Sequence, residues 1–321
     1  MRTIGQSTLK VAPLAFGGNV FGWTVSETQA FTLLDAFTSA GFNLIDTADV
    51  YSRWVPGNHG GESETIIGKW MKSRGKRSQV IISTKVGMEV ASDKKGLSRR
   101  YITTAVEESL RRLQTDYIDL YFSHVDDPKT PLEETLGAYS QLIQAGKIRV
   151  IGASNYSGER LLAALDVSER EGLPRYECLQ PDYNLYERSE YEQELEPLCL
   201  ERKLGVISYF SLASGFLSGK YRSETDLNQS QRGERVRKYL NERGYRILQA
   251  LDEVSEEYQV KPATIALAWL MLRPSITAPI ASATTIDQLN TLAAAAQLQL
   301  KPDAIKRLDQ ASAYKESSLM V

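Results

Sequence analysis

The sequence predicts a single α/β domain, residues 1–321, folded as an (α/β)8 TIM barrel. Eight short apolar runs typical of strands alternate with amphipathic stretches typical of helices, and eight such units close a parallel barrel. One barrel of this kind occupies about 200 to over 400 residues, a range that includes this chain of 321 residues. The rival fold, a doubly wound sheet, usually carries G-x-G-x-x-G after its first strand, whereas residues 16–22 read FGGNVFG.

The predicted elements follow the chain in order. Residues 3–4 and 9–11 flank a turn at 5–8, which indicates an N-terminal β-hairpin. The barrel strands are predicted at 14–16, 43–45, 80–83, 118–122, 150–152, 178–180, 206–208 and 276–280. Helical spacing of apolar residues places helices at 26–40, 62–71, 100–113, 132–145, 158–171 and 191–203. Extra helices are expected between strands seven and eight (241–258 and 262–272) and at the C-terminus, with residues 223–237 as a polar surface excursion.

Composition and charge exclude several classes of function. The net charge of −2 leaves no electrostatic footprint for nucleic acid. No apolar run is long enough to span a bilayer, and the first residues lack the apolar core of a signal peptide. Two cysteines make no disulfide framework, which favours a reducing cytoplasm, and two histidines without metal-binding spacing argue against a metal site. We therefore expect a cytoplasmic protein with no nucleic-acid, membrane or metal partner, and its oligomeric state stays open.

Six successive predicted strands end in side chains that form hydrogen bonds. In order along the chain these are Asp46, Lys85, His124, Ser154 with Asn155, Gln180 and Tyr209. Capping of the following helices would account for aspartate, serine or asparagine at such positions. It accounts less well for lysine and histidine, which are costly to desolvate at the head of an apolar strand. Since active sites of parallel barrels lie at the carboxyl ends of the strands, this rim is the predicted site.

The residue types at this rim suit one kind of chemistry. Tyr51 follows Asp46 by five residues, in a loop able to fold back over the strand end. A nearby lysine ammonium lowers the pKa of a phenol, and a carboxylate keeps that lysine charged and in place. A neutral histidine offers a second hydrogen-bond donor to a carbonyl oxygen. These groups predict the protonation of an oxygen that gains negative charge, as when a carbonyl carbon accepts hydride from a nicotinamide or flavin.

The motifs DTADVY, STKVG, YFSH, GASNY and SYFSLASGFLSGKY together resemble those of the aldo-keto reductase family, and the similarity covers nearly the whole chain. The resemblance implies NAD(P)H-dependent reduction of an aldehyde or ketone on an (α/β)8 barrel, with sugar-derived carbonyl compounds among the candidate substrates. It makes Tyr51 the proton donor, Lys85 and Asp46 its tuning pair, and His124 the group that orients the carbonyl.

The same resemblance implies a cofactor site around the rim. Its residues would be Gly18 after strand one, Ser154, Asn155 and Gln180 at the carboxamide, Tyr209 on the nicotinamide ring, Phe210, Ser211, Leu212 and Ser214 at the pyrophosphate, and Ser282, Thr284 and Gln288 at the adenosine. The family often carries cations in the last segment, where this chain is neutral, and NADP(H) is still expected to be favoured over NAD(H). Trp23 and Trp54, apolar side chains on a polar rim, are the predicted substrate contacts.

The sequence leaves two other functions open. The first is a nicotinamide-binding regulatory or redox-sensor protein with little turnover, because some relatives are similar to channel β-subunits. The second is a barrel lyase that forms a Schiff base on Lys85, although a carboxylate partner would keep that lysine charged and so suits the reductase better.

Overall fold

The computed structural model describes residues 1–314, so residues 315–321 of the predicted domain lie outside the described part. The chain begins with two short strands, β1 (Arg2–Thr3) and β2 (Lys10–Val11), which pair antiparallel as a hairpin. Eight parallel strands follow: β3 (Ala15–Gly17), β4 (Leu44–Asp46), β5 (Ile81–Val86), β6 (Ile118–Ser123), β7 (Ile148–Ser154), β8 (Tyr176–Gln180), β9 (Gly205–Val206) and β10 (Ile280–Ala281). They form one sheet in the order β10-β3-β4-β5-β6-β7-β8-β9.

Backbone hydrogen bonds bring the two edges of this sheet together. Thr277 N donates to Val206 O at 2.8 Å, and Ile280 N donates to Ser208 O at 2.8 Å. The sheet is therefore curled in the manner of a TIM-type barrel, which confirms the predicted α/β class. The last barrel strand was predicted at 276–280, but the strand that pairs with β3 is β10, Ile280–Ala281. Pro279 explains the difference, because proline has no N–H to donate to a strand ladder.

Helices alternate with the strands along the chain. They are α1 (Glu27–Ser39), α2 (Glu62–Arg74), α3 (Arg99–Leu113), α4 (Leu132–Gln144), α5 (Gly158–Glu171), α6 (Glu196–Glu201), α7 (Gly233–Val236), α8 (Glu242–Tyr258), α9 (Pro262–Met271), α10 (Ile286–Ala294) and α11 (Pro302–Ser312). The predicted helix at 191–203 is instead a π-helical turn, Tyr191–Leu195, followed by α6. Pro197 lacks the N–H that a continuous α-helix would need there. Among residues 1–314, no helix has both the length and the apolar character needed to cross a bilayer.

The apolar core has two parts. The larger part fills the space between the sheet and the helices, and the smaller part fills the inside of the curled sheet. The inner cluster includes Ile4, Leu9 and Val11, so the N-terminal hairpin covers one end of the interior. Gly152 faces the same interior, where a Cβ would lie 2.3 Å from Phe122 Cε1. The other end of the interior stays open and polar, and the site lies there.

Candidate active site

The two-residue alternation of β-strands delivers the polar side chains to one rim. Leu44 and Phe122 belong to the inner cluster, so Asp46 and His124, each two residues further on, continue the inward-facing series. Lys85 follows Ile81 and Ser83 in the same way along β5. Asp46, Lys85 and His124 are at most 6% exposed. Burial of this kind requires each of these charged or polar groups to have partners.

Asp46, Lys85 and Tyr51 form one hydrogen-bonded group. Lys85 Nζ donates to Asp46 Oδ2 at 2.6 Å, to Thr47 O at 2.7 Å and to Tyr51 Oη at 2.9 Å. Tyr51 Oη donates to Asp46 Oδ2 at 3.4 Å. The other carboxylate oxygen, Asp46 Oδ1, accepts from Ser83 Oγ at 2.7 Å and from Gln180 Nε2 at 3.0 Å. The phenol is therefore held between an ammonium and a carboxylate, as the sequence predicts.

Burial sets the protonation of these groups. It raises the pKa of Tyr51 well above its ordinary value, and the neighbouring Asp46 adds to the rise. The net pKa of this phenol is therefore raised in the free protein, and the lowering effect expected from Lys85 stays a prediction. Burial also lowers the pKa of Lys85, against the opposing effect of Asp46. The pKa of His124 falls well below its ordinary value through burial and, to a lesser extent, the charge of Lys85, so the imidazole is neutral.

A second buried carboxyl group, that of Asp49, lies in the loop between Asp46 and Tyr51. Asp49 is 4% exposed, and neither of its carboxylate oxygens has a hydrogen-bond partner within residues 1–314. Burial and the nearby Glu64 raise the pKa of Asp49 well above its ordinary value. This shift favours the neutral form of the carboxyl group, to which the sequence motifs assign no role.

His124 is connected to the residues predicted to hold the nicotinamide. Asn155 Nδ2 donates to His124 O at 2.8 Å and to Ser154 Oγ at 3.1 Å, and Tyr209 Oη donates to Asn155 Oδ1 at 2.7 Å. Ser154 Oγ in turn donates to Gln180 O at 2.9 Å. His124 Nδ1 is buried and has no hydrogen-bond partner within residues 1–314. Asn155, although not glycine, has a left-handed φ of 55°.

These side chains open into one cavity of about 800 Å³. The cavity lining brings together most of the residues predicted from the sequence: Trp23, Asp46, Tyr51, Trp54, His124, Ser154, Asn155, Gln180, Tyr209, Phe210, Ser211, Leu212, Ser214, Ser282, Thr284 and Gln288. Lys85 lies behind Asp46 and Tyr51 rather than on the wall. Gly18 lies beneath the wall, where its carbonyl accepts from Ser63 Oγ, and its neighbours Gly17 and Asn19 line the cavity instead.

The two tryptophans stand at the Tyr51 end of this cavity. The rings of Trp23 and Trp54 meet edge to face with centroids 5.7 Å apart, and the Trp54 ring lies 6.2 Å from that of Tyr51. Trp54 remains 44% exposed. Met88, which the sequence analysis did not single out, also lines the cavity.

Four cations on the cavity wall were missed by sequence reasoning: Lys220, Arg232, Arg235 and Lys261. The guanidinium carbon of Arg232 lies 5.1 Å from the centroid of the Trp23 ring, and Arg232 Nη2 is buried without a partner in residues 1–314. Arg232 and Arg235 belong to the predicted polar surface excursion at 223–237, and this excursion was the available signal in the sequence. Asp46, already paired with Lys85, is the carboxylate among the described lining residues, and the cavity therefore favours an anion.

The backbone after β9 makes a left-handed turn at the cavity wall. Phe210, Ala213 and Ser214 have left-handed φ values of 49°, 49° and 57°, and Gly215 has a φ of 100°. Within this turn Ala213 N donates to Phe210 O at 2.6 Å and Gly215 N donates to Leu212 O at 2.8 Å. No group of three or more His, Cys, Asp or Glu side chains that could hold a metal occurs within residues 1–314. The residues present fit a bound dinucleotide.

A curled parallel sheet whose rim joins tyrosine, lysine and aspartate beside a neutral histidine defines a class of protein, the barrel oxidoreductases. Residues 13–313 match the model of the Aldo/keto reductase family, and the chain belongs to this family. Members of the family use nicotinamide cofactors and act on small-molecule carbonyl compounds. The resemblance stated from the motifs is confirmed, and so is the assignment as an oxidoreductase.

Individual relatives share most of their length with this chain. Uncharacterized oxidoreductase YrpG of Bacillus subtilis (strain 168) is 32% identical over 314 residues, covering 95% of this chain and 94% of that protein. Aldo-keto reductase YhdN of the same organism is 34% identical over 295 residues, with coverages of 90% and 85%. A protein of Oryza sativa subsp. japonica named Probable voltage-gated potassium channel subunit beta is 34% identical over 297 residues, with coverages of 90% and 88%.

Proposed function

We propose that this protein reduces an aldehyde or ketone to an alcohol with NADPH, and that Tyr51 gives the proton. The observation that carries the proposal is the position of the Tyr51 hydroxyl. It lies on the cavity wall, 2.9 Å from the buried ammonium of Lys85. A neutral phenol beside a cation can donate its proton to an oxygen that is gaining negative charge.

The chain's own residues account for the proton step. As the carbonyl carbon gains hydride, the carbonyl oxygen takes the proton from Tyr51 Oη. Lys85 stabilises the resulting phenolate through the same 2.9 Å contact, and Asp46 keeps the lysine charged and in place. The neutral His124 supplies a second polar contact to the carbonyl oxygen. Solvent then returns a proton to Tyr51.

The cofactor residues are assigned by their places on the cavity wall. Bound NADPH would supply the hydride. Ser154, Asn155 and Gln180 would hold its carboxamide, and Tyr209 would cover its ring. The left-handed turn at Ser214 and Gly215 would receive the pyrophosphate, while Thr284 and Gln288 would lie at the adenosine. This assignment is supported by the positive wall of the cavity.

A substrate panel tests the proposal. Aldehydes, ketones and sugars are supplied with NADPH or NADH in turn, and the loss of reduced nicotinamide is followed by its absorbance. We expect turnover of at least one carbonyl class by the wild type and its loss in Tyr51→Phe, which keeps the ring. Turnover that survives in Tyr51→Phe would refute Tyr51 as the donor.

A regulatory role is the second candidate, favoured by the similarity to the protein named as a channel β-subunit. It predicts tight nicotinamide binding with negligible turnover across the whole panel. A Schiff-base lyase is less well supported, because Lys85 is fully buried and already contacts three oxygens. Trapping of a substrate adduct on Lys85 by borohydride reduction would instead support the lyase.

A further inference from the structure

We propose that Lys261 recognises the 2′-phosphate of the nucleotide and so determines the preference for NADPH, an inference that rests on the proposed function. The expected location for such a cation, after the last strand, contains only neutral side chains on the cavity wall: Ser282, Thr284 and Gln288. Lys261 reaches the same cavity from a different part of the chain, the residue that precedes α9.

Two contacts place Lys261 at the adenosine end of the cavity. Thr264 Oγ1, in the first turn of α9, donates to Thr291 O at 2.8 Å, which fixes the start of α9 against α10. On the other side, a Cβ added to Gly219 would lie 3.3 Å from Pro262 Cγ. The start of α9 is thus held between α10 and the segment that follows the left-handed turn at Ser214 and Gly215.

The neutral groups at this end are largely engaged with one another. Ser282 Oγ lies 2.8 Å from Gly17 O and 2.7 Å from Asn19 Oδ1, and its one proton is donated to either of these acceptors. Thr284 Oγ1 donates to Gln288 Oε1 at 3.1 Å. Because these hydroxyl groups already donate to other acceptors, they leave a 2′-phosphate with few hydrogen-bond donors. They also carry no positive charge to balance the charge of the phosphate.

Lys261 can supply both the hydrogen-bond donors and the positive charge. Its side chain is exposed and forms no hydrogen bond or ion pair within residues 1–314, so its ammonium is available. A lysine is a mobile point charge with three donors, which suits a phosphate without demanding one orientation. Asp287, the acidic residue in the first turn of α10, is not among the residues that line the cavity and does not oppose a phosphate there.

The other cations lie elsewhere on the wall. Lys220 Nζ would be 3.7 Å from a Cβ on Gly215, which places it at the turn assigned to the pyrophosphate. Arg232 lies over Trp23, near Tyr51, and Arg235 lies close to Arg232, whose pKa is lowered by burial and by the charge of Arg235. Loss of Lys220 should therefore weaken NADP⁺ and NAD⁺ alike, whereas loss of Lys261 should weaken NADP⁺ alone.

Calorimetric titration of four nucleotides tests this inference. Adenosine 2′,5′-bisphosphate and adenosine 5′-monophosphate differ only by the 2′-phosphate, as do NADP⁺ and NAD⁺. In Lys261→Met we expect Kd to rise about tenfold for the two 2′-phosphorylated ligands, the value of one charge-assisted contact, and to stay unchanged for the other two. The Kd difference should shrink in high salt, because an exposed charge is screened.

The chain offers a matched control. Lys301 also precedes a proline at the first position of a helix, α11, but does not line the cavity. Lys301→Met should leave all four affinities unchanged, and Lys261→Arg should retain the preference for the 2′-phosphate.

Two results for Lys261→Met would overturn the inference: equal losses for all four ligands, or unchanged binding of the bisphosphate. A wild type that binds NADP⁺ but reduces no carbonyl would overturn the proposed function alone. A wild type that binds neither dinucleotide would overturn both.

Discussion

The pairing of Tyr51 with Lys85 yields a prediction whose size follows from one distance. At 2.9 Å, a unit charge stabilises a phenolate by about 6 kcal/mol at an effective dielectric constant of about 20. This free energy corresponds to a rate factor of about 10⁴, which is an upper limit on the effect of Lys85. A positioned general acid typically contributes a rate factor of about 10² to 10⁴. We therefore expect Lys85→Met to lower kcat/KM for carbonyl reduction by about 10²- to 10⁴-fold.

The same change should destabilise the fold. Lys85→Met would leave Asp46, which is 1% exposed, without its cation, and removing one partner of a buried ion pair typically costs about 3–5 kcal/mol. Chemical denaturation measures this loss. Asp46→Asn in the Lys85→Met background should recover part of the stability but none of the activity, since it removes the unpaired charge without restoring the ammonium.

A double-mutant cycle decides whether Lys85 acts through Tyr51. If the two side chains act as a unit, Tyr51→Phe with Lys85→Met should be little slower than either single variant. The affinity for NADP⁺ is measured beside kcat/KM, and Tyr51→Phe should leave it nearly unchanged. Losses in kcat/KM that multiply would refute the reasoning and place the effect of Lys85 elsewhere, on structure alone.

Three further predictions concern the pocket, the cofactor and the buried carboxyl group. Trp54→Ala should raise KM more than it lowers kcat, because the exposed indole at the cavity mouth contributes uniform binding; an unchanged KM across several substrates would place it outside the pocket. Thr284→Arg should widen the ratio of kcat/KM for NADPH over NADH by adding a bidentate cation, and a narrower ratio would contradict the assignment of the adenosine end. Asp49→Asn should raise the free energy of unfolding, and by more at pH 8 than at pH 5. The unfolded carboxyl group loses its proton near pH 4, whereas the raised pKa lets the folded one keep its proton to a higher pH, so the penalty in the wild type grows between the two pKa values; equal effects at both pH values would contradict the raised pKa.

The sequence was sufficient for the sheet and for the polar side chains at its rim because both depend on local pattern. A period of two carries Leu44 to Asp46 and Phe122 to His124, so inward-facing polar residues at strand ends can be recognised without coordinates. The loop from Asp46 to Tyr51 is short enough that its return over the strand end also follows.

The adenosine end could not be obtained in this way. Thr264 and Thr291 lie on different helices, and their contact depends on how α9 and α10 pack, which periodicity does not specify. Arg232 belongs to an irregular segment whose path has no repeating pattern. The pKa of Tyr51 was also beyond the sequence, because residue types reveal the neighbouring charges but not the extent of burial that outweighs them.

The hydrogen bond from Gln180 Nε2 to Asp46 Oδ1 joins the residues around the proposed proton donor to a residue proposed to hold the nicotinamide. One N–H of this amide is engaged by the carboxylate that holds Lys85 in place, and the proposed assignment gives the same amide to the cofactor carboxamide. Under that assignment, Asp46→Asn should change the affinity for the dinucleotide. Because coupling between binding sites is reciprocal, the bound dinucleotide should in turn change how Asp46 holds Lys85. The proposed cofactor contact would thus couple nucleotide binding to the geometry of the proton donor.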